Sequence, residues 1–144
     1  MPSTTVDLMS SAVAVLSAAH PTLTVLQTPY FDANREDQQT ANVLIIATNR
    51  ERTRTNRAGF DEVQSIGVVY QQLIERLEWP DIDQHLETVE SLMDTLQRNS
   101  ELNSVGQNRY YQLLNLVTAE PYQPDQMSNG LFVSYFQAEY QTEI

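Results

Sequence analysis

Arg50, Arg52 and Arg54 alternate with Glu51 and Thr53, and Arg57 follows shortly after. On a strand this alternation puts three guanidinium groups on one face, because successive side chains point to opposite sides. A row of planar, permanently charged forks suits two tasks: gripping phosphate, or pairing with carboxylates of a neighbouring subunit. The plain alternative is a solvated, hairpin-like extension beyond the sheet. Nucleic acid is the least favoured partner, because the charge around the row opposes it.

Other chemistry-bearing types are sparse. Asp81, Asp83, Glu87 and Glu90 cluster, but a calcium loop needs oxygens at alternate positions and a central glycine. Acids opening a helix explain them better. The two histidines, His20 and His85, stand far apart with no supporting ligand motif. The four glycines (59, 67, 106 and 130) are isolated, so no phosphate-cradling loop is present. There is no Gly-x-Ser-x-Gly elbow and no cysteine or lysine to act as nucleophile. Nothing in the sequence nominates a carboxylate pair for acid–base work. The aromatics Tyr110, Tyr111, Tyr122, Phe132, Tyr135, Phe136 and Tyr140 lack a basic surround and read as core and interface. No catalytic residue, cofactor or metal is therefore expected.

The elements that position these residues follow from periodicity. Residues 6–19 form an apolar helix that Thr4 or Thr5 can cap, with Asp7 in its first turn and His20-Pro21 ending it. Thr22 to Tyr30 alternates like a strand, and 32–41 is polar loop. Asn42 to Thr48 is the most apolar run and reads as a buried central strand, continuing through the arginine row to a turn at Ala58-Gly59. Glu62 to Leu73 returns as a long strand. Asp81 to Asn99 is the clearest helix: Ile82, Leu86, Val89, Met93 and Leu96 recur at helical steps. Residues 99–108 read as loop, and Tyr110 to Thr118 as a strand or a short helix.

The chain closes on Leu131 to Thr142, where Phe132, Ser134, Phe136 and Tyr140 share one face and Val133, Tyr135, Gln137 and Glu139 the other. A strand so rich in large residues has to be paired in a sheet or pressed against a partner. The order α-β-β-β-α-β-β describes one α+β domain over 1–144. It is a two-layer arrangement of about five strands, mixed or antiparallel, under two main helices.

Composition bounds the partners. Forty-one per cent of the residues are apolar, enough for a modest core in 144 residues. No apolar run approaches the roughly 18 residues that span a bilayer, so no membrane role is expected. The first 20 residues lack a basic start, which disfavours a secretory signal. Net charge is −11, every basic residue is arginine, and the charge is lopsided. Residues 1–57 balance five acids with five arginines, whereas 58–144 carry fourteen acids against three arginines. Two electrostatic characters on one surface suit a subunit that meets different neighbours on different sides.

The element order and several short motifs resemble the small tail-completion proteins of tailed bacteriophages, the tail terminator group in particular. Those motifs are the N-terminal helix, Val43-Leu-Ile-Ile leading to Arg57, Ser65-Ile-Gly-Val-Val-Tyr70, and the helix from Asp81 to Leu96. The ending Pro121-Tyr-Gln-Pro-Asp, followed by Phe132-Val-Ser134 and Tyr140, is similar to that group's Pro/Tyr turn and Phe-x-Ser strand. The resemblance implies a virion protein, assembled in the host cytoplasm. It would form a ring, usually a hexamer, that halts growth of the tail tube and offers a docking face to the head connector. Its partners would be copies of itself, the tube protein and the connector, with DNA passing an acidic lumen unbound. Arg50, Arg52, Arg54, Arg57, Phe132, Tyr135 and Tyr140 are then the expected interface residues. A neck or head-tail joining protein of the stopper or adaptor kind is the alternative within this class. Outside it stand a DNA-binding accessory domain and a small-ligand α+β enzyme.

Overall fold

The computed structural model describes residues 3–30, 41–54, 60–74, 78–104 and 109–143. Helix α1 (Thr4–Ala19) is capped by the Ser3 hydroxyl, which accepts from the Val6 amide, one residue earlier than the threonines the sequence offers. Strand β1 (Val25–Gln27) is short; β2 (Val43–Arg54) and β3 (Phe60–Leu73) are long. Helix α2 (Trp79–Arg98) starts two residues before Asp81, because Pro80 fits a first helical turn that needs no amide donor. A three-residue β4 (Glu101–Asn103) falls where loop was expected, and β5 (Tyr110–Glu120) resolves the open choice in favour of strand. The single turn α3 (Pro124–Met127) precedes β6 (Leu131–Glu143).

The class is α+β; the described residues form six strands and three helices, compatible with the expected sheet of about five strands under two main helices, since α3 is a single turn. The sheet runs β1-β2-β3-β6-β5-β4 and curls into a half-barrel. Among the described residues the β1–β2 pair is the only parallel one. The last strand in sequence is thus central in space, with β3 on one side and β5 on the other. Phe132, Phe136, Ala138 and Tyr140 on its even face are fully buried against Ile66, Val68 and Tyr70 of β3 and against the helices. The helices contribute Leu8, Ala12 and Leu16 from α1, and Ile82, Val89, Leu92 and Leu96 from α2. Helix α1 touches β1, β2 and β4, so it fills the mouth of the half-barrel between the two edges. A smaller apolar cluster lies on the opposite face: Ala41, Leu44, Val69, Leu131 and Val133.

Three register shifts shape the sheet. In β2 the shift lies between Ala47 and Asn49, making Thr48 an extra residue opposite β3. Before it the odd positions Val43 and Ile45 face the helices; after it the even positions Arg50 and Arg52 do, opposite Gln64 and Glu62. In β5 the shift at Leu114 lets Leu113 and Leu116, three apart, both pack on the main core. Such bulges bend the strand and sharpen its twist, as a curled sheet requires.

Gly67 marks the tightest spot on the far face. A Cβ built there would lie 2.7 Å from Tyr135 Cε2 and 2.9 Å from both Ile46 Cγ1 and Thr48 Cγ2. The Tyr135 ring covers this glycine and takes the place of its missing side chain. Gly67→Ala is expected to lower stability by about 1–3 kcal/mol, the usual range for overpacking. The measurement is the urea unfolding midpoint, and an unchanged midpoint would mean that Tyr135 does not lie against the strand.

Candidate functional site

The helix face of the sheet changes character along its length. Toward Tyr70 it is apolar; toward the far end of β2 and β3 it carries Gln64, Glu62, Arg50 and Arg52. The start of α1 lies over this polar end. Thr5 Oγ1 donates to Gln64 Oε1 at 2.7 Å, and Gln64 Nε2 donates to Thr142 Oγ1 at 3.2 Å. Glu62 is the hub. Its Oε1 accepts from Arg50 Nε at 2.8 Å and Thr4 Oγ1 at 3.2 Å; its Oε2 accepts from Arg52 Nε at 2.9 Å and Nη2 at 2.6 Å.

The carboxylate side chain is 10% exposed, while the arginines remain 47% and 49% exposed. Burial opposes ionisation of Glu62, but the hydrogen bonds from Arg52 and Arg50 and the charge of Arg50 outweigh it. Together they hold the carboxyl below its ordinary value. The arginine row was expected to seek an acidic neighbour; for Arg50 and Arg52 the first acid met is Glu62 of the same chain, directly across the ladder. The Arg54 side chain and all of Arg57 lie outside the described residues.

A second polar group joins α1 to the β4–β5 connection. Asp7, buried in α1, accepts from the Tyr111 hydroxyl and, at 2.9 Å, from Ser104 Oγ. Burial first, then Asp7, push the Tyr111 phenol well above its ordinary value, against the opposing pull of Arg109. The sequence placed Asp7 as a helix-start acid and gave no sign of this pairing, since Tyr111 lies far along the chain. In chemical terms the cluster is a clamp: both hydroxyl protons are committed to the carboxylate.

Both histidines fasten α2. Thr95 Oγ1 gives its proton to the Ser91 carbonyl, so His20 Nε2, 2.8 Å away, is the donor in that pair. His85 Nδ1 lies 2.9 Å from the Tyr70 hydroxyl, and its ring packs on Tyr70 and Phe132 with centroids 5.9 and 5.2 Å apart. Burial holds this imidazole below its ordinary value against the pull of Asp81. Among the acids of α2, Asp83, Glu87, Glu90 and Asp94 are all exposed, at helical steps along one side. Among the described residues no group of three potential ligands is placed to hold a metal ion.

Of the aromatic interface candidates, Phe132 and Tyr140 have no surface to offer. Both are fully buried in this chain's own core, because β6 is the middle strand and its even face lies under the helices. That corrects the expectation for these two side chains; Gln137 and Glu139, on the other face of β6, are half-buried. Tyr135 is half-buried on the opposite face, where its hydroxyl accepts from Gln137 Nε2 at 2.8 Å.

The surface features that sequence reasoning missed lie at the sheet edges. Among the described residues, β1 pairs with β2 at Val43–Ile45 and β4 pairs with β5 at Tyr110–Gln112. The outer edges of 47–54 and 114–120 have no described partner strand. Leu114 and Val117, on the bare part of β5, are 49% and 43% exposed. These edges were not legible because the sequence does not say which strands are outermost. Among the described residues, shallow clefts of about 450 Å³ and about 470 Å³ lie beside Ala14, Ala18 and Asn99 and beside Tyr122 and Asp125.

No protein-family model matches the chain, and no curated protein matches it.

Glu62→Gln is expected to cost about 1–3 kcal/mol at pH 7, the range for a hydrogen-bonded charge. Because the folded carboxyl titrates below 4.5, its contribution is present above that pH and is lost as pH falls below it. Urea titrations of wild type and variant should therefore converge below pH 4.5; a constant gap would show that the carboxylate is not the hub. A contrasting result is expected at Tyr140, whose hydroxyl has no hydrogen-bond partner among the described residues. Tyr140→Phe removes a buried unsatisfied group and should leave the melting temperature unchanged or raise it. A marked fall would show that the hydroxyl has a partner.

Proposed function

We propose that this chain is a structural virion protein of a tailed bacteriophage, a tail terminator. It closes into a ring, a hexamer, on the head-proximal end of the tail tube, stops tube growth and presents a docking face to the head connector. It acts by shape and contact, without a catalytic centre or cofactor. The observation that carries the reading is a pair of strand edges, on opposite sides of one sheet, with no partner strand among the described residues. From β2 to β3, β3 to β6 and β6 to β5 every pairing is antiparallel, so β2 and β5 run in opposite directions. A neighbour's β2 laid along β5 would continue the antiparallel pattern, and the same step repeated by rotation closes a ring. Half-exposed Leu114 and Val117 supply apolar area at that edge. The motif order shared with tail terminators supports the placement on a tube. Fourteen of the nineteen acids fall after residue 57, which suits a ring whose lumen lets DNA pass unbound.

Electron microscopy of the purified protein, alone and with tail tubes, tests the reading: rings or ring-capped tubes are expected. A Leu114→Arg, Val117→Arg double variant should melt within about 2 °C of wild type, since both side chains are already half exposed, and should not form rings. Particles lacking the protein should have tails of uncontrolled length or heads and tails left unjoined. Normal, head-attached tails in its absence would overturn the assignment.

A further inference from the structure

Arg50 and Arg52 are held in place by Glu62 yet keep about half of each side chain in solvent. They stand near the β2 edge, on the sheet face that carries the helices. Helix α2 lies on that same face, packed on α1 and, on the side of the sheet away from β2, on β6 and β5. Its exposed side carries Asp83, Glu87, Glu90 and Asp94 at steps of four, three and four, a single ridge along the helix. Cationic and anionic patches thus occupy opposite flanks of one face, the arrangement a head-to-tail contact between copies requires.

We propose that the α2 ridge of one copy receives Arg50 and Arg52 of the next. The proposal rests on the ring reading and specifies which side chains meet. When a neighbour's β2 continues the sheet beside β5, its arginines rise on the helix side, next to α2. Glu62 supports this directly: it fixes both forks on a strand before association, so less side-chain freedom is lost on docking. The half of each guanidinium side chain left in solvent is opposite in sign to the ridge. The pairs are exposed, so they set register and encounter rate more than they add affinity, and they weaken with salt.

The chain has no cysteine, which allows a background-free test. Arg50→Cys and Glu87→Cys proteins are prepared separately, mixed under mild oxidation, and run beside each protein alone. The expected product is a mixed covalent dimer, far more abundant than either self-dimer. In parallel, a Glu87→Arg, Glu90→Arg variant alters only exposed positions and should leave the melting temperature unchanged. By mass photometry it should associate at least about tenfold more weakly, with the salt dependence of wild type lost. Rings that form with unchanged affinity and salt response in this variant would overturn the proposal and leave the ring reading standing. Self-dimers of Glu87→Cys in place of mixed ones would overturn it too, by showing a symmetric contact. A wild-type chain that stays monomeric at every concentration, alone and with tail tubes, would overturn both.

Discussion

The fold depends on the insertion of its last strand. Strands β3 and β5 have no direct pairing; β6 alone joins them, pairing with β3 from Val63 to Leu73 on one side and with β5 from Tyr110 to Glu120 on the other. The large side chains of β6 are also the floor on which α1 and α2 rest, and each contributes roughly 1.5–3 kcal/mol of burial. Until residues 131–143 are in place, the sheet is two separate pieces and the helices have half a surface to cover. Contacts of such sequence separation close large loops before they return any stabilisation, which slows the docking of β6 relative to the local β2–β3 hairpin.

A second constraint is local. One extra residue, Thr48, exchanges the two faces of β2 midway along its length. Without the bulge, with Thr48 paired in a regular ladder, Arg50 and Arg52 would share a face with Leu44 and Ile46, away from Glu62 and the start of α1. With it, the strand buries Val43 and Ile45 under the helices and still presents its arginines on that same side. The bulge thus lets one strand be both core wall and charged arm, and Glu62 satisfies the inner side of that arm.

What could be read from the residues follows the same division. The heptad-like steps of α2 and the alternation of β6 were legible because each encodes a buried face within a dozen residues. Val89 and Leu96 on the one, Phe132 and Tyr140 on the other, lie where that pattern puts them. The position of β6 was not legible, because alternation gives a strand two faces but no neighbours; Tyr140 therefore read equally well as core or as interface. Short elements escaped for a related reason. Strand β4 contributes one buried side chain, Leu102, and exists through its ladder with Tyr110–Gln112 rather than through its own pattern. The Asp7–Tyr111 clamp and the Glu62 hub join residues remote in sequence or set across a bulge, and no local rule announces either.

Bare edges normally endanger a β protein, since any strand of suitable length can add to them. The stretch Leu113-Leu-Asn-Leu-Val117 itself carries no lysine, proline or charge to guard its edge. Protection comes instead from the whole-molecule charge of −11, which makes most relative orientations of two copies repulsive. Repulsion of that kind does not fall equally on every approach. An encounter that brings the β2 arm of one copy to α2 of another opposes unlike charges, whereas one that brings two α2 ridges together opposes like charges. In the proposed ring the lopsided charge therefore selects among edge pairings that the backbone alone would accept, favouring the head-to-tail step and disfavouring face-to-face stacking. Backbone edges supply the adhesion, and side-chain charge decides which adhesion is allowed.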